Sequence, residues 1–144
     1  TFIDDSTRKV WAYTIRTKDR VFTVFKEWLA VVENQMDRKL KCFRSDNGGE
    51  FKSYEFVIFC RQHGIQREFT APHSLEQNNI AEWMNRTIQE RAVTMLKHSG
   101  LNDGFWAEAL LTAVHIINLS PTRPLRYKIP QELWSGRTPD YGKL

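Results

Sequence analysis

The chain has 144 residues, 41% hydrophobic and 26% charged, which suits one domain with a sizeable core and excludes both two ordinary domains and a long disordered chain. No apolar run approaches the roughly 18 residues that span a bilayer, and no signal peptide opens the chain, so no membrane partner is expected. The net charge of +4 permits a polyanionic partner, and a solvated basic surface explains it almost as well.

In chain order, "TFIDDSTRKVWAYTIRT" reads as a hairpin: Phe2 and Ile3 in one strand, Asp5 to Arg8 in a turn, and Val10 to Ile15 in a second strand rich in β-formers. A strand running from the first residue predicts a piece of something longer. Thr17 is placed to cap a helix whose face is Val21, Phe22, Phe25, Trp28, Leu29 and Val32, fading in the polar "ENQMDRK". "LKCFRSD" predicts a strand covered on at least one side. Ser53 then caps a shorter helix with Phe56, Val57, Phe59 and Cys60, and Gly64 stands at its C-terminal cap. "IQREFTAP" predicts a further strand with Ile65, Arg67 and Phe69 on one face.

After the polar "HSLEQNN", the pattern Ile80, Ala81, Met84, Ile88, Ala92, Met95, Leu96 predicts a long helix ended by Gly100. Another helix runs from about Asp103 to Leu119, with Trp106, Ala109, Leu110, Ala113, Ile116 and Ile117 inward. Pro130 opens a short helix, "PQELW", closed by Gly136. A hairpin followed by alternating helices and strands implies an α/β protein, a mixed sheet covered by helices. The two cysteines, Cys42 and Cys60, are expected as buried small hydrophobes in a reducing compartment.

Two carboxylates stand out. Asp46 lies where a strand gives way to Gly48-Gly49, and ligands of open α/β sheets gather at strand ends. An Asx-type turn is the plain alternative there. Glu82 lies on a polar stripe with Asn78, Asn85 and Gln89, where an exposed pair with Arg86 is the plain alternative. Carboxylates converging from separate elements suit Mg²⁺ or Mn²⁺, because hard cations prefer oxygen ligands.

Thirty-five residues separate Asp46 from Glu82. With that interval, "RSDNGGEF", "HGI" and "APHSLEQNNIAEWMNRT" resemble the integrase catalytic core of copia-type retrotransposons, within the retroviral integrase superfamily. "FIDDSTRKVWAY", "FWAEAL" and "KIPQELWSGRTPDYGKL" share the likeness, which covers essentially the whole chain. The resemblance implies a ribonuclease-H-like fold, a mixed five-stranded sheet flanked by helices, with its first strand upstream of Thr1. Residues 1–120 would be the catalytic core and 121–144 its C-terminal extension.

It further implies that Asp46 and Glu82 are the second and third members of a metal-binding triad of two Asp and one Glu. Such sites hold two Mg²⁺ or Mn²⁺ ions about 3.5–4 Å apart and promote in-line displacement at phosphorus. Water is the nucleophile in 3′-end processing, and the exposed 3′ hydroxyl in strand transfer. Gln77, Asn78, Asn85 and Arg86 would contact DNA, both element ends and target, through phosphate rather than base edges. Implied too are a homo-oligomer in the intact protein, synthesis in the cytoplasm within a polyprotein, and work in the nucleus.

The first Asp of the triad would precede Thr1, so the fragment alone is expected to be inactive. Asp4 and Asp5 are expected to be structural or peripheral. The zinc module of relatives has no counterpart among His63, His73, His98, His115, Cys42 and Cys60. Asn79 and Trp83 depart from the Gly and Arg usual beside the Glu, and Leu75 stands where proline is common. A non-catalytic nucleic-acid-binding or assembly remnant is therefore the alternative function. A ribonuclease H shares the fold and is disfavoured by the spacing and the "SDNGGEF" context.

Overall fold

The computed structural model describes residues 1–46, 48–70 and 75–143, with 75–79 and 143 described by backbone alone. They form two compact units, Thr1–Thr14 with Ile80–Leu144, and Ile15–Asn79.

The first unit opens with the expected hairpin. Strand β1 (Phe2–Ile3) pairs antiparallel with β2 (Val10–Trp11), Phe2 opposite Trp11 and Ile3 opposite Val10. Asp4 shapes the turn: its Oδ2 accepts from the Thr7 amide and the Thr7 hydroxyl, both at 2.8 Å. Asp5 accepts from Arg8 Nη1 at 2.6 Å, and Arg8 takes the left-handed φ of 58°. The second strand is shorter than Val10–Ile15, because β1 offers only two residues to pair with; Tyr13 and Ile15 lie exposed.

Two helices cover this hairpin. Helix α3 (Leu75–Ser99) buries Met84, Ile88, Ala92 and Leu96, a step of four that holds one face to the core. Gly100, at φ 68°, ends it. Asn102 then accepts from Gly104 N at 2.9 Å and starts the turn into α4 (Trp106–Leu119). Val10, Met84, Ile88, Ala113, Val114 and Ile117 make one core cluster. Trp106, expected inward, is exposed at the first residue of the helix, and the buried stripe of α4 begins at Ala109 and runs on through Ala113 and Ile117.

Buried Asn118 of α4 does the work of a neighbouring strand. Its Oδ1 accepts from Val10 N at 2.9 Å and its Nδ2 donates to Val10 O at 2.8 Å. Truncating that amide would orphan two buried backbone groups, at about 1–3 kcal/mol each. Helix α5 (Pro130–Ser135), closed by Gly136 at φ 67°, ties the tail to the hairpin. Trp134 meets Trp11 edge-to-face at 4.8 Å, and Lys9 Nζ donates to Gln131 Oε1.

In the second unit, α1 (Val21–Met36) buries Phe25, Trp28, Leu29 and Val32. A 3₁₀ turn, Lys18–Arg20, precedes it, and Thr17 makes no side-chain cap. Strand β3 (Cys42–Ser45) runs parallel to β4 (Gln66–Phe69), pairing Phe43 with Arg67 and Ser45 with Phe69. Phe43 packs inward on Phe25 at 4.8 Å and on Phe56 at 5.7 Å. Cys42, Arg44 and Gln66 face outward, where Arg44 Nη2 pairs with Glu68 at 3.0 Å. Strand alternation thus corrects the expectation for Cys42, which is exposed; only Cys60 is buried.

Helix α2 (Tyr54–Gln62) starts at Ser53, whose Oγ accepts from Phe56 N at 3.3 Å. It ends in a Schellman arrangement, Ile65 N to Cys60 O at 2.8 Å and Gly64 N to Arg61 O at 3.3 Å, with Gly64 at φ 66°. Among the described residues the four strands pair as one antiparallel and one parallel ladder, giving the mixed α/β character expected.

Candidate active site

Asp46 follows the last residue of β3 and is exposed. Its position has a local cause. Phe43 is drawn into an aromatic cluster with Phe25, Phe51 and Phe56, so β3 is held against the helices while its C-terminal end emerges to solvent. The Gly48 amide donates to Asp46 Oδ1 at 3.0 Å, the Asx-type bond that the plain reading anticipated. That bond occupies one carboxylate oxygen with one donor and leaves acceptor capacity on the group.

The glycines beyond it are not equivalent. A Cβ on Gly48 would lie 2.9 Å from Asp46 Oδ1 and 2.9 Å from Glu50 Oε2, so both carboxylates close around this Cα. Gly49 faces open space. Gly48 has an ordinary φ of −57°, so it is the missing side chain, not an unusual backbone angle, that the site requires. Glu50 lies on the 3₁₀ turn Gly49–Phe51 and faces Lys18 Nζ at 3.9 Å. Lys18 is 83% exposed, and an ion pair so open to water contributes little.

Glu82 is exposed on α3 of the first unit. Trp83, beside it, is 56% exposed. Asn85 accepts from the Thr1 hydroxyl at 2.6 Å, and Arg86 is exposed. Among the described residues no ion pair joins Glu82 to Arg86, so the i, i+4 alternative is not realised. Arg86 instead lines an open depression of about 600 Å³ with Gln89, Glu90, Val93 and Thr94. The side chains of Gln77 and Asn78 lie outside the described residues.

The donor chemistry at Asp46 and Glu50 fits a hard divalent cation, since Mg²⁺ is commonly held through one or two carboxylates while keeping several waters. Among the described residues no group of three or more His, Cys, Asp or Glu is gathered at one point. Sequence reasoning assigned Arg67 only to a strand face, with no motif to signal its reach to Phe51 across the fold; Glu50 lies inside "RSDNGGEF", and only the folded turn sets it beside Asp46.

The fold is that of an integrase catalytic core, ribonuclease-H-like. The chain is similar to the HTLV-2 integrase catalytic core domain, a trimeric form in complex with magnesium, with a TM-score of 0.65 and 19% identity over 90% of this chain and 79% of that one. The family model for the integrase core domain matches residues 1–74, more than half of the sequence, and the chain belongs to that family. It is 48% identical over 144 residues to the retrovirus-related Pol polyprotein from transposon TNT 1-94 of Nicotiana tabacum, covering 100% of this chain and 11% of that protein. It is 35% identical to the corresponding polyprotein from transposon RE1 of Arabidopsis thaliana, over 99% of this chain and 10% of that protein. The chain thus spans about a tenth of the polyproteins it matches.

Proposed function

We propose that this chain is the polynucleotidyl transferase core of a retrotransposon integrase, residues 1–120 forming the core and 121–144 its extension. The observation that carries the reading is Asp46, an exposed carboxylate at the C-terminal end of a strand in a parallel ladder, inside the segment that matches the integrase family. Asp46 and Glu82 are the proposed metal-binding carboxylates, for Mg²⁺ or Mn²⁺. When bound, such ions activate an attacking oxygen and stabilise a leaving one.

The residues of the chain have their own tasks. Asp46 presents its carboxylate away from the aromatic cluster, and Glu82 offers a second from an exposed helix face. Asn85 and Arg86, one and one-half turns or less from Glu82, are the proposed phosphate contacts, with Gln77 and Asn78 earlier on the same helix. The same reading takes DNA as the partner, a homo-oligomer as the working form and the nucleus as the place of work, after cytoplasmic synthesis within a polyprotein.

The test is strand transfer by the integrase that carries this core, joining a recessed 3′ DNA end to a plasmid in the presence of Mn²⁺. Asp46→Asn and Glu82→Gln should each abolish the joined product while leaving DNA binding in place. Joining at the unmodified rate by either variant would refute the assignment. A non-catalytic DNA-binding role is the second reading, favoured by exposed Trp83, a bulky ring next to Glu82. It predicts DNA binding without joined product even from the unmodified protein.

A further inference from the structure

We propose that Arg67 is a positioning residue for Asp46, a clamp that holds the acidic turn from the neighbouring strand. The inference rests on the reading of Asp46 as a metal ligand. Arg67 lies on β4 directly opposite Phe43, three residues before Asp46 on β3. Its guanidinium lies over two aromatic rings, 5.7 Å from the centre of Phe56 and 4.8 Å from that of Phe69. Its Nη2 donates to the backbone carbonyl of Phe51, the last residue of the Gly49–Phe51 turn.

These contacts have one consequence. The turn that brings Glu50 beside Asp46 is short and only half-buried, and its own backbone bonds are Phe51 N to Gly48 O at 3.2 Å and Lys52 N to Gly49 O at 3.0 Å. A turn of that kind opens readily unless something outside it holds it. Two attachments do: the Phe51 ring, packed 5.6 Å from both Phe43 and Phe56, and the Arg67 bond to the Phe51 carbonyl. A planar, permanently charged fork is suited to this task, since it can lie over rings and still aim an N–H outward in its own plane. Lysine offers a point charge on a flexible stem and cannot do both.

The test compares this chain with Arg67→Met and Arg67→Lys by nuclear magnetic resonance. The first readout is amide exchange at Phe51 and Lys52, with the amides of α1 as the internal reference. The second is paramagnetic broadening at Asp46 and Gly48 on titration with Mn²⁺ alone. Arg67→Met should speed exchange at Phe51 and Lys52 about tenfold or more while α1 is unchanged, and weaken the Mn²⁺ response by about 10- to 100-fold, the range for partners that orient a metal ligand. Arg67→Lys, which keeps charge and stem, should fall between.

A core variant, Leu29→Ala, controls for lost stability and should leave the Mn²⁺ midpoint unchanged. Equal weakening by Leu29→Ala and Arg67→Met, or exchange at Phe51 unaltered by Arg67→Met, overturns the clamp. Absence of any Mn²⁺ response in the unmodified chain overturns the metal reading instead, and the exchange data then decide the clamp by themselves.

Discussion

At Gly48 the site depends on an absence. The Cβ of any other residue would stand 2.9 Å from the carboxylate oxygens of both Asp46 and Glu50. Those oxygens are the far ends of side chains that can swing aside, and Gly48 needs no special φ, so alanine should fold without difficulty. What it should disturb is where Asp46 points. Gly48→Ala is therefore expected to leave the free energy of unfolding within about 0.5 kcal/mol of the unmodified chain, the usual range for surface changes, while shifting the Asp46 resonances and weakening Mn²⁺ binding. An unchanged Mn²⁺ titration would show that the carboxylate tolerates displacement. The motif "RSDNGGEF" made Asp46 legible as a candidate, but two adjacent glycines look alike in a sequence. Only the folded turn shows that Gly48 is confined and Gly49 is open.

Among the elements, those with strong local signals form as the sequence predicts. Ser53 caps α2, Gly64 and Gly100 take positive φ at helix ends, and Pro130 opens α5. Helix α1 shows where local signals run short. Its C-terminal end has no glycine; Asp37 adopts the left-handed conformation, and Glu33 reaches past the end to accept from Leu40 N at 2.9 Å and Lys39 Nζ at 2.7 Å. Burial pushes the Glu33 carboxyl up, but the bonds from Lys39 and Leu40, with the charges of Lys39 and His63, outweigh it and hold the group below its ordinary value of 4.5.

A carboxyl whose pKa is lower in the folded state stabilises the fold above its unfolded pKa and loses that contribution as pH falls through the folded one. Glu33→Gln should therefore melt below the unmodified chain at neutral pH, and the gap should close as the solution is acidified below 4.5. Thermal melts across that range provide the check, and a gap that stays constant with pH would contradict the assignment. Strand β3 teaches a related lesson: "LKCFRSD" announces a strand, but which face is covered depends on Phe43 meeting Phe25 and Phe56, and this leaves Cys42 in solvent.

For the whole chain, a net charge of +4 and an exposed Arg86 on the helix that carries Glu82 bear on the proposed DNA partner. Binding through phosphates falls with salt, the logarithm of the constant declining linearly with the logarithm of salt concentration. Arg86→Ala should reduce the steepness of that line by about 1 and weaken binding alike across duplex sequences, read by fluorescence anisotropy with labelled duplexes over a salt series. An unaltered slope would remove Arg86 from the phosphate contacts. The family was legible from the sequence because its motifs are ordered and spaced along the chain, and 35 residues between two carboxylates is a covalent fact that folding does not alter. Most helix faces and several caps were legible for the same reason, since each follows from neighbours a few residues away, whereas the expected Thr17 cap, inward Trp106 and buried Cys42 were overturned. The Asn118 amide that completes β2, the pairing of Trp11 with Trp134, the confinement of Gly48 and the reach of Arg67 to Phe51 join residues distant in sequence or side chains that no local rule orients. Those were decided by tertiary packing, because a side chain's partner is set by which surfaces the fold brings into contact.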